Sequence, residues 1–215
     1  MTPSAATRRL PFDVDPDSTL TSKGRLLAAG KTLFSRNGYE QTSTSAIARE
    51  AGSSESQLIR YFGGKAGLLE AIFNQSWSGL TANLQKEISD STHGRDAMQR
   101  ILSLMIDAFG RDQETAFLFL FEARRMRGGS HEVQLSRGLV HFTQLVLDLI
   151  AKGQLDGSFR NDVPPSVLAS AMLGCAEGMM RDRVLAERNR LENPFDDTAM
   201  RTTFAAVVDG LAPKS

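Results

Sequence analysis

Apolar side chains recur every three or four residues along most of the chain, which is the period of an amphipathic α-helix. The first such stretch runs from Ser22 to Asn37, where Asn37-Gly38 is a typical helix end. Further helices are predicted at about 65–90, 95–109, 113–127, 131–152, 164–190 and 197–210. Because no segment of any length alternates apolar and polar residues, the predicted fold class is all-α.

Glycine and proline mark the ends of two of these helices. Gly153 is predicted to end the 131–152 helix, and Pro164-Pro165 is predicted to open the next one. One segment is ambiguous, since Phe117-Leu-Phe-Leu-Phe121 also has the composition of a buried strand. Asp112 is a suitable helix N-cap just before it and no partner strand is found, so we predict a central helix there.

The segment from Thr42 to Lys65 has the pattern of two short helices joined by a tight turn. Ser43 is placed to cap the first of them, which is predicted to run to Ala51. Gly52 can adopt the left-handed conformation that ends a helix and turns the chain. With the 22–37 helix sharing the same small core, this segment is predicted to be a helix-turn-helix.

The second helix of this motif is predicted to begin after Ser54. Gln57 stands three residues further on, so the pair satisfies the capping-box pattern. Leu58 and Phe62 are four residues apart and form the buried stripe. The outward face is polar and suits base edges and phosphates in a DNA major groove. Its residues are Glu55, Ser56, Gln57, Arg60 and Tyr61.

A set of positions at fixed spacing carries a resemblance to a known family. They are Arg25 to Phe34, Gly38-Tyr39, Thr42, Ile47-Ala48, Ala51-Gly52, Leu58, Phe62 and Lys65. Together they resemble the N-terminal DNA-binding domain of the tetracycline-repressor (TetR) family over about residues 22–72. Two positions depart from it, because the family usually has a hydrophobic residue where Ser53 stands and a phosphate-contacting tyrosine where Ile59 stands.

The resemblance implies a ligand-responsive transcriptional regulator, and a repressor in particular. Such a protein is a homodimer that binds a palindromic double-stranded DNA operator and leaves it when a small hydrophobic effector binds. Three parts are expected: a flexible arm at 1–21, a helix-turn-helix DNA-binding domain at 22–65, and an all-α effector-binding and dimerisation domain at 66–215. In the family, the helix that begins at Lys65 joins the DNA-binding domain to the body.

We expect the polar face to divide its contacts between the DNA backbone and the bases. The Tyr61 hydroxyl and the Lys65 ammonium are predicted to meet phosphates, and the Lys65 contact is one that the resemblance implies. Gln57 is predicted to address bases. Other residues assigned to the DNA-binding face are Thr44, Ser45, Glu55, Ser56 and Arg60.

Methionine and aromatic residues in the body suit an adaptable pocket for an apolar molecule. The predicted lining is Met105, Phe109, Phe117, Phe121, Met172 and Cys175, with Glu122 or Arg125 as a polar anchor. A packed core explains the same residues, and the Glu122/Arg125 and Glu177/Arg181 pairs have the spacing of ordinary surface salt bridges. The sequence leaves both explanations open.

Small residues four apart on the 164–190 helix predict a surface on which another helix can approach closely. They are Ser170, Gly174 and Gly178. The last helix has an apolar face that includes Phe204, Val208 and Leu211. The resemblance places the dimer contact on these two helices, as a four-helix bundle with their symmetry mates. Packing within one chain is the alternative.

Composition bounds the remaining possibilities. The chain has 215 residues, 41% of them hydrophobic, and its single cysteine excludes an intramolecular disulfide. Net charge is zero, but residues 22–72 hold seven basic and four acidic side chains. No signal peptide or membrane span is evident, so we expect a cytoplasmic protein without membrane contact.

The chemistry-bearing residues do not predict catalysis. The three histidines are not spaced with Cys, Asp or Glu as metal ligands, and no nucleophile elbow or glycine-rich cofactor loop is present. We therefore expect no enzyme activity, no metal and no cofactor. The competing hypothesis is an all-α small-molecule-binding protein or enzyme whose helix-turn-helix has no DNA role.

Overall fold

The structure is a computed structural model that describes residues 21–91, 93–123, 136–193 and 195–213 of the chain. The described residues form helices joined by short turns. The helices are α1 Ser22–Asn37, α2 Thr44–Glu50, α3 Glu55–Phe62, α4 Lys65–Ser89, α5 Gly94–Arg111, α6 Gln113–Phe117, α7 Arg137–Leu155, α8 Pro165–Asn189 and α9 Asp197–Asp209. The all-α prediction is confirmed. The predicted N-terminal arm lies outside the described residues, apart from Thr21.

The first three helices form the predicted helix-turn-helix unit, residues 22–63. The hydroxyls of Ser43 and Ser54 accept hydrogen bonds from the third following backbone amide, and so cap α2 and α3. Gly52 has φ of 55° between these helices, the left-handed conformation that the turn requires. Four side chains with no exposed surface fill the core. They are Leu26, Phe34, Ile47 and Leu58.

The long helix α4 joins this unit to the body of the protein. Its first turns pack against α1, where Gly30 lets the two helices approach so closely that an added Cβ would lie 2.7 Å from Leu68 Cδ2. Its later turns pack against α5 and α7. The body is completed by α8, which packs on α7, and by α9, which packs mainly on α5. One continuous hydrophobic core extends from Leu26 to Val208.

A π-helical segment, Leu118–Glu122, occupies the middle of the helix predicted at 113–127. The α-helix α6 ends at Phe117, and the chain then widens to the i→i+5 pattern. The run 117–121 is helical as predicted, but it is part π-helix, and of its side chains only that of Leu118 is fully buried. Arg125, predicted as a ligand anchor, lies outside the described residues.

Helix α7 differs from its prediction at its C-terminal end. It continues through Gly153 to Leu155, so the prediction that Gly153 ends the helix was wrong. Gly153 instead lies under the ring of Phe159, where an added Cβ would be 2.2 Å from Cδ2. The chain turns at Gly157, which has φ of 77°. At its start, Ser136 caps α7; residues 131–135 of the predicted helix lie outside the described residues.

None of the described helices is long and apolar enough to cross a membrane.

Candidate DNA-binding face and ligand cavity

Helix α3 presents a short exposed face next to the turn. Ser56 and Arg60 are exposed, and Tyr61 retains 38% of its surface. Ile59 is 57% exposed on the same helix, although no apolar residue was predicted to belong to this face. An exposed aliphatic side chain at this place is suited to contact with a thymine methyl group. Its position after the helix cap was the signal that could have identified it.

Gln57 is half-buried and is held by two hydroxyl groups. Ser22 Oγ donates to its Oε1 over 3.0 Å, and Ser53 Oγ donates over 2.5 Å. Only half of the predicted capping box is formed, because the Gln57 side chain turns toward these hydroxyls rather than back to the start of α3. The polar Ser53, which departs from the family pattern, thus fixes the orientation of Gln57. The amide Nε2 of Gln57 is then the end that can donate to a base.

The start of α2 is tied to α3 by a second polar contact. Thr44 Oγ1 donates to Glu55 Oε2 over 2.6 Å, and Ser43 and Ser45 share a hydrogen bond of 3.0 Å between their hydroxyls. Of the predicted DNA-facing residues, Ser45 and Glu55 are exposed and Thr44 is half-buried. The two helices therefore present these side chains in a fixed arrangement.

Lys65 and Arg60 are also engaged within the chain. The Lys65 ammonium donates to the carbonyl oxygens of Tyr39 (2.9 Å) and Glu40 (3.4 Å), and lies 4.3 Å from the centre of the Tyr39 ring. The Arg60 guanidinium donates to the Tyr61 hydroxyl over 3.1 Å and covers its ring. An ammonium has three donors, and these two contacts brace the loop between α1 and α2.

Polar contacts join α1 of the helix-turn-helix unit to the body. Lys31 forms an ion pair with Asp112, and Thr32 Oγ1 donates to Glu114 Oε2 over 3.1 Å. On the other side, Arg188 Nη2 of α8 donates to the backbone oxygen (2.8 Å) and to the hydroxyl (2.7 Å) of Ser35. These contacts fix α1 against α6 and α8.

Arg188 also lies 3.6 Å above the ring of Phe117, which stacks on Phe121 with centroids 4.8 Å apart. Burial lowers the pKa of the Arg188 guanidinium from its ordinary value while the charge of Glu114 opposes this shift, and arginine stays protonated. Glu122 is 1% exposed, and its Oε1 approaches Gly38 of the helix-turn-helix unit. Phe117, Phe121 and Glu122 were predicted to line the ligand pocket. They lie instead where the π-helical segment meets the DNA-binding unit.

A cavity of about 50 Å³ lies inside the body between α4, α5, the π-helical segment, α7 and α8. Its lining is mainly aromatic and aliphatic: Trp77, Met105, Phe109, Phe119, Leu120, Leu139, Phe142, Thr143, Leu173, Ala176, Glu177 and Met180. Met105 and Phe109 were predicted from the sequence. Most of the other lining residues, including Trp77 and Phe142, were missed.

The two residues of α8 predicted to line the pocket, Met172 and Cys175, are not among those that line this cavity. Leu173, Ala176 and Met180 face the cavity with the spacing of one helical face. Met172 is 2% exposed beside that face, and Cys175 is half-buried with its Sγ 3.9 Å from Met179 Sδ. The helical period was visible in the sequence, but not which of the adjacent faces meets a cavity.

Trp77 is the central side chain of the lining. Its indole is 4% exposed and stacks on Phe119 (4.5 Å between centroids) and on Phe142 (5.1 Å). Gly138 of α7 makes room for it, because an added Cβ there would lie 2.2 Å from Trp77 Cγ and Cδ1. Among the described residues, no hydrogen-bond partner meets the buried Nε1.

The predicted dimer residues divide between the surface and the interior. Ser170 and Gly174 are exposed on α8, Gly178 is half-buried, and no described atom lies within 4 Å of a Cβ added at Gly174. Phe204 and Val208 are 2% and 0% exposed, because they pack into the core of their own chain. Their assignment to the dimer contact remains a prediction, as does that of Leu211, which is half-buried.

Side chains that could hold a metal are not grouped: the described residues contain no cluster of three or more His, Cys, Asp or Glu. A capped helix-turn-helix unit followed by a larger helical body with an apolar cavity defines the class of helix-turn-helix regulators. Residues 26–72 match the family model of the bacterial regulatory proteins of the tetR family. Residues 26–72 therefore form a DNA-binding domain of the TetR type.

Relatives and solved structures agree with this assignment. The HTH-type transcriptional regulator UidR of Escherichia coli K12 is 26% identical over 162 residues, which are 75% of this chain and 81% of UidR. The HTH-type transcriptional repressor KstR2 of Rhodococcus jostii is 23% identical over 68% of this chain and 74% of its own. The structure of FadR from Bacillus subtilis in complex with stearoyl-CoA has a TM-score of 0.76 at 15% identity, covering 86% of this chain and 96% of FadR.

Proposed function

We propose that the protein is a homodimeric transcriptional repressor that binds a palindromic operator through α2 and α3 and leaves it when a small apolar molecule enters the body. The observation that carries this proposal is the connection of one π-helical segment to both sites. Phe119 and Leu120 of this segment line the cavity, and Glu122 at its end approaches Gly38 of the DNA-binding unit. The adjoining Phe117 of α6 lies under Arg188. A DNA-binding role fits a cytoplasmic location.

The DNA contacts follow from the exposed face described above. Arg60, Tyr61 and Lys65 are placed for phosphates, and Gln57 offers its Nε2 to a base edge. Thr44, Ser45, Glu55 and Ser56 lie at the same surface, where Glu55 orients Thr44. A two-fold dimer would set two such faces about 34 Å apart, which is one turn of DNA.

The cavity supports an apolar effector and a change of shape on binding. A cavity must reach about 150 Å³ to hold benzene, so an effector has to displace lining side chains from the roughly 50 Å³ present here. Phe119 and Leu120 belong to the π-helical segment, and Trp77 belongs to α4, which begins at the DNA-binding unit. Displacing them shifts the π-helical segment and pivots α4, which changes the spacing of the two DNA-binding units.

The names of two similar proteins fit this proposal. FadR of Bacillus subtilis was solved with stearoyl-CoA, whose acyl chain is apolar, and KstR2 of Rhodococcus jostii is named a repressor. For the present chain we accordingly propose an effector with apolar character, and repression rather than activation of transcription.

Binding to the DNA upstream of the protein's own coding region tests the proposal. We expect a salt-dependent complex that is lost in Arg60→Ala but kept in Arg111→Ala, since Arg111 is equally exposed but lies at the end of α5 in the body. Equal affinity of wild type for this region and for random DNA would contradict the proposal. Absence of any DNA complex would favour the alternative of an all-α ligand-binding protein or enzyme without a DNA role.

The proposed dimer contact on α8 has its own test. Gly174→Leu should be tolerated by the isolated chain, because a Cβ there meets no described atom within 4 Å, yet it should separate two chains that pack at this surface. Sedimentation should give a dimer for wild type and a monomer for Gly174→Leu. Leu155→Ala serves as a control, since Leu155 is 90% exposed on a different helix. A monomeric wild type would remove the proposal.

A further inference from the structure

The side-chain amide of Gln57 is held at its oxygen end by two hydroxyl groups. Ser22 Oγ and Ser53 Oγ lie 3.0 Å and 2.5 Å from Gln57 Oε1. The shorter separation is in the range of a bond between two oxygens and below that of a bond between nitrogen and oxygen, so the carbonyl oxygen is the end that faces Ser53. The Arg25 guanidinium also donates to Ser22 Oγ over 3.3 Å, which leaves the hydrogen of this hydroxyl for Gln57.

The nitrogen end of the same amide is open to solvent. No hydrogen-bond partner meets Gln57 Nε2 among the described residues. Within the same part of the chain, Trp77 Nε1 is the single buried side-chain nitrogen or oxygen that lacks a partner. Gln57 Nε2 therefore keeps accessible surface, on the helix where Ser56 and Arg60 are exposed.

The occupied oxygen restricts which base the amide can recognise. A carbonyl oxygen has two lone pairs, and on Gln57 both are engaged by hydroxyl groups. A glutamine that reads adenine through both of its ends must accept from adenine N6 while it donates to N7. Gln57 has no acceptor left for N6, but its NH₂ group has two donors. These donors match guanine, whose major-groove edge presents two acceptors, N7 and O6.

We propose that Gln57 is a specificity-determining residue that reads a guanine in each operator half-site, and that Ser22 and Ser53 are positioning residues that exclude adenine there. This inference rests on the proposed function as a DNA-binding repressor. It goes further by naming the base and by giving two hydroxyl groups outside α3 a part in recognition. Both serines act through the amide of Gln57, because their hydroxyls are directed to its oxygen.

The test selects binding sequences from a pool of random DNA duplexes with the full-length protein. Gln57→Ala identifies the position that the amide reads, because base preference should be lost there, and wild type should select guanine at this position. Replacing that guanine by 7-deazaguanine removes the N7 acceptor, so it should weaken binding of wild type about tenfold and leave the affinity of Gln57→Ala unchanged.

Two further variants change the hydrogen-bonding groups that face the base. Gln57→Glu keeps an acceptor for the hydroxyls but presents an oxygen in place of the NH₂ group, so preference should move to cytosine, whose N4 is a donor. In the double variant Ser22→Ala/Ser53→Ala the amide oxygen is released, and adenine should be selected at least as often as guanine. The matched control is Ser78→Ala/Ser89→Ala, which should keep the guanine preference, because both hydroxyls are exposed on α4 and bond to backbone oxygens of that helix.

Three results would overturn the inference. They are a wild-type preference for a base other than guanine at the Gln57 position, an undiminished affinity for the 7-deazaguanine duplex, and an unchanged guanine preference in the double serine variant. If Gln57→Ala fails to fold, Gln57→Glu identifies the same position by its changed preference. A wild type that enriches no sequence would refute the proposed function, whereas enrichment without guanine at this position would refute the present inference alone.

Discussion

In the helix-turn-helix unit, polar side chains around α2 and α3 bond to one another, whereas the polar group at the centre of the body finds no partner among the described residues. Gln57 is held by Ser22 and Ser53, and Thr44 is held by Glu55. In the body, Trp77 lines a cavity, and its buried N–H meets no partner among the described residues. The polar side chains of the first region have hydrogen-bond partners within the chain, whereas the indole N–H of the second has none among the described residues.

This difference corresponds to the two functions proposed for the regions, which are DNA binding and the response to a ligand. Side chains that must meet DNA in one geometry gain from being held beforehand, because less conformational freedom is then lost on binding. A site that must respond to a ligand needs free energy that only the ligand can supply. An unpaired buried donor costs about 1–3 kcal/mol, and a small void forfeits packing contacts along its walls.

The largest expected effect concerns the packing that creates the cavity. In Gly138→Ala the added methyl group would overlap the Trp77 ring at 2.2 Å, so we expect the free energy of unfolding to fall by about 2–3 kcal/mol. Gly110→Ala is the matched control, because its nearest neighbour is the flexible end of Arg183 at 3.5 Å, and alanine should stabilise α5 by up to about 1 kcal/mol. Urea denaturation measures both. Similar stabilities of the two variants would mean that Trp77 and its neighbours move easily to accept the added methyl group.

The next effect concerns the contact between the two regions. Arg188→Met keeps an apolar stem near Phe117 but removes both hydrogen bonds to Ser35, which should cost about 1–2 kcal/mol. Hydrogen exchange should become faster in α1. Arg181→Met on the same helix is the control, because Arg181 is exposed and forms an ion pair with neighbouring Asp182 on the surface, so its effect should stay within about 0.5 kcal/mol. Unchanged exchange in α1 would show that Arg188 does not fix the DNA-binding unit.

The two regions also differ in how well the sequence predicted them. In the helix-turn-helix unit the helix ends were predicted because their causes are local: Ser43 and Ser54 are caps, and Gly52 is the left-handed turn residue. Family resemblance was carried by the same short segment. The bond from Ser53 to Gln57 was not predicted, since a side-chain rotamer depends on what lies opposite it.

In the body the causes are distant in sequence. The run from Phe117 to Phe121 is apolar throughout and has no period from which to read a π-helix, which accompanies the packing of Phe119 against Trp77. A glycine at position 153 suggests a helix end from the sequence, yet in the structure it allows the Phe159 ring to pack closely against α7. Which residues face a cavity depends on how whole helices are rotated against one another, and a single sequence does not state this.

A smaller effect tests whether the held side chains of the DNA-binding unit read bases. Gln57→Ala should destabilise the protein by about 1 kcal/mol, because it removes the acceptor for Ser22 and Ser53. It should also relax discrimination at one operator position by about 1–3 kcal/mol. Ser53→Ala keeps the amide and removes one of its supports, so it should lose stability with little change in discrimination. If both variants lose discrimination equally, Gln57 has a structural role alone.

The smallest expected effect concerns Asp156, which follows the end of α7 and accepts hydrogen bonds from the backbone N–H groups of Gly94 and Ser158, each over 2.9 Å. Burial acts to raise the pKa of this carboxyl, but the hydrogen bonds from Ser158 and Gly94 and the nearby His93 outweigh it, so the pKa lies below its ordinary value of 3.8. A carboxyl with a lowered pKa in the folded state stabilises the protein above pH 3.8, and this contribution is lost as the pH falls through the folded-state pKa. Asp156→Asn should therefore cost less than about 0.5 kcal/mol at pH 7, since the group is exposed to solvent, and the difference from wild type should shrink as the pH falls below 3.8. Asp148→Asn on α7 is the control, and urea denaturation at several pH values measures both variants. A stability difference between Asp156→Asn and wild type that grows toward low pH would contradict this account of the junction between α7 and α5.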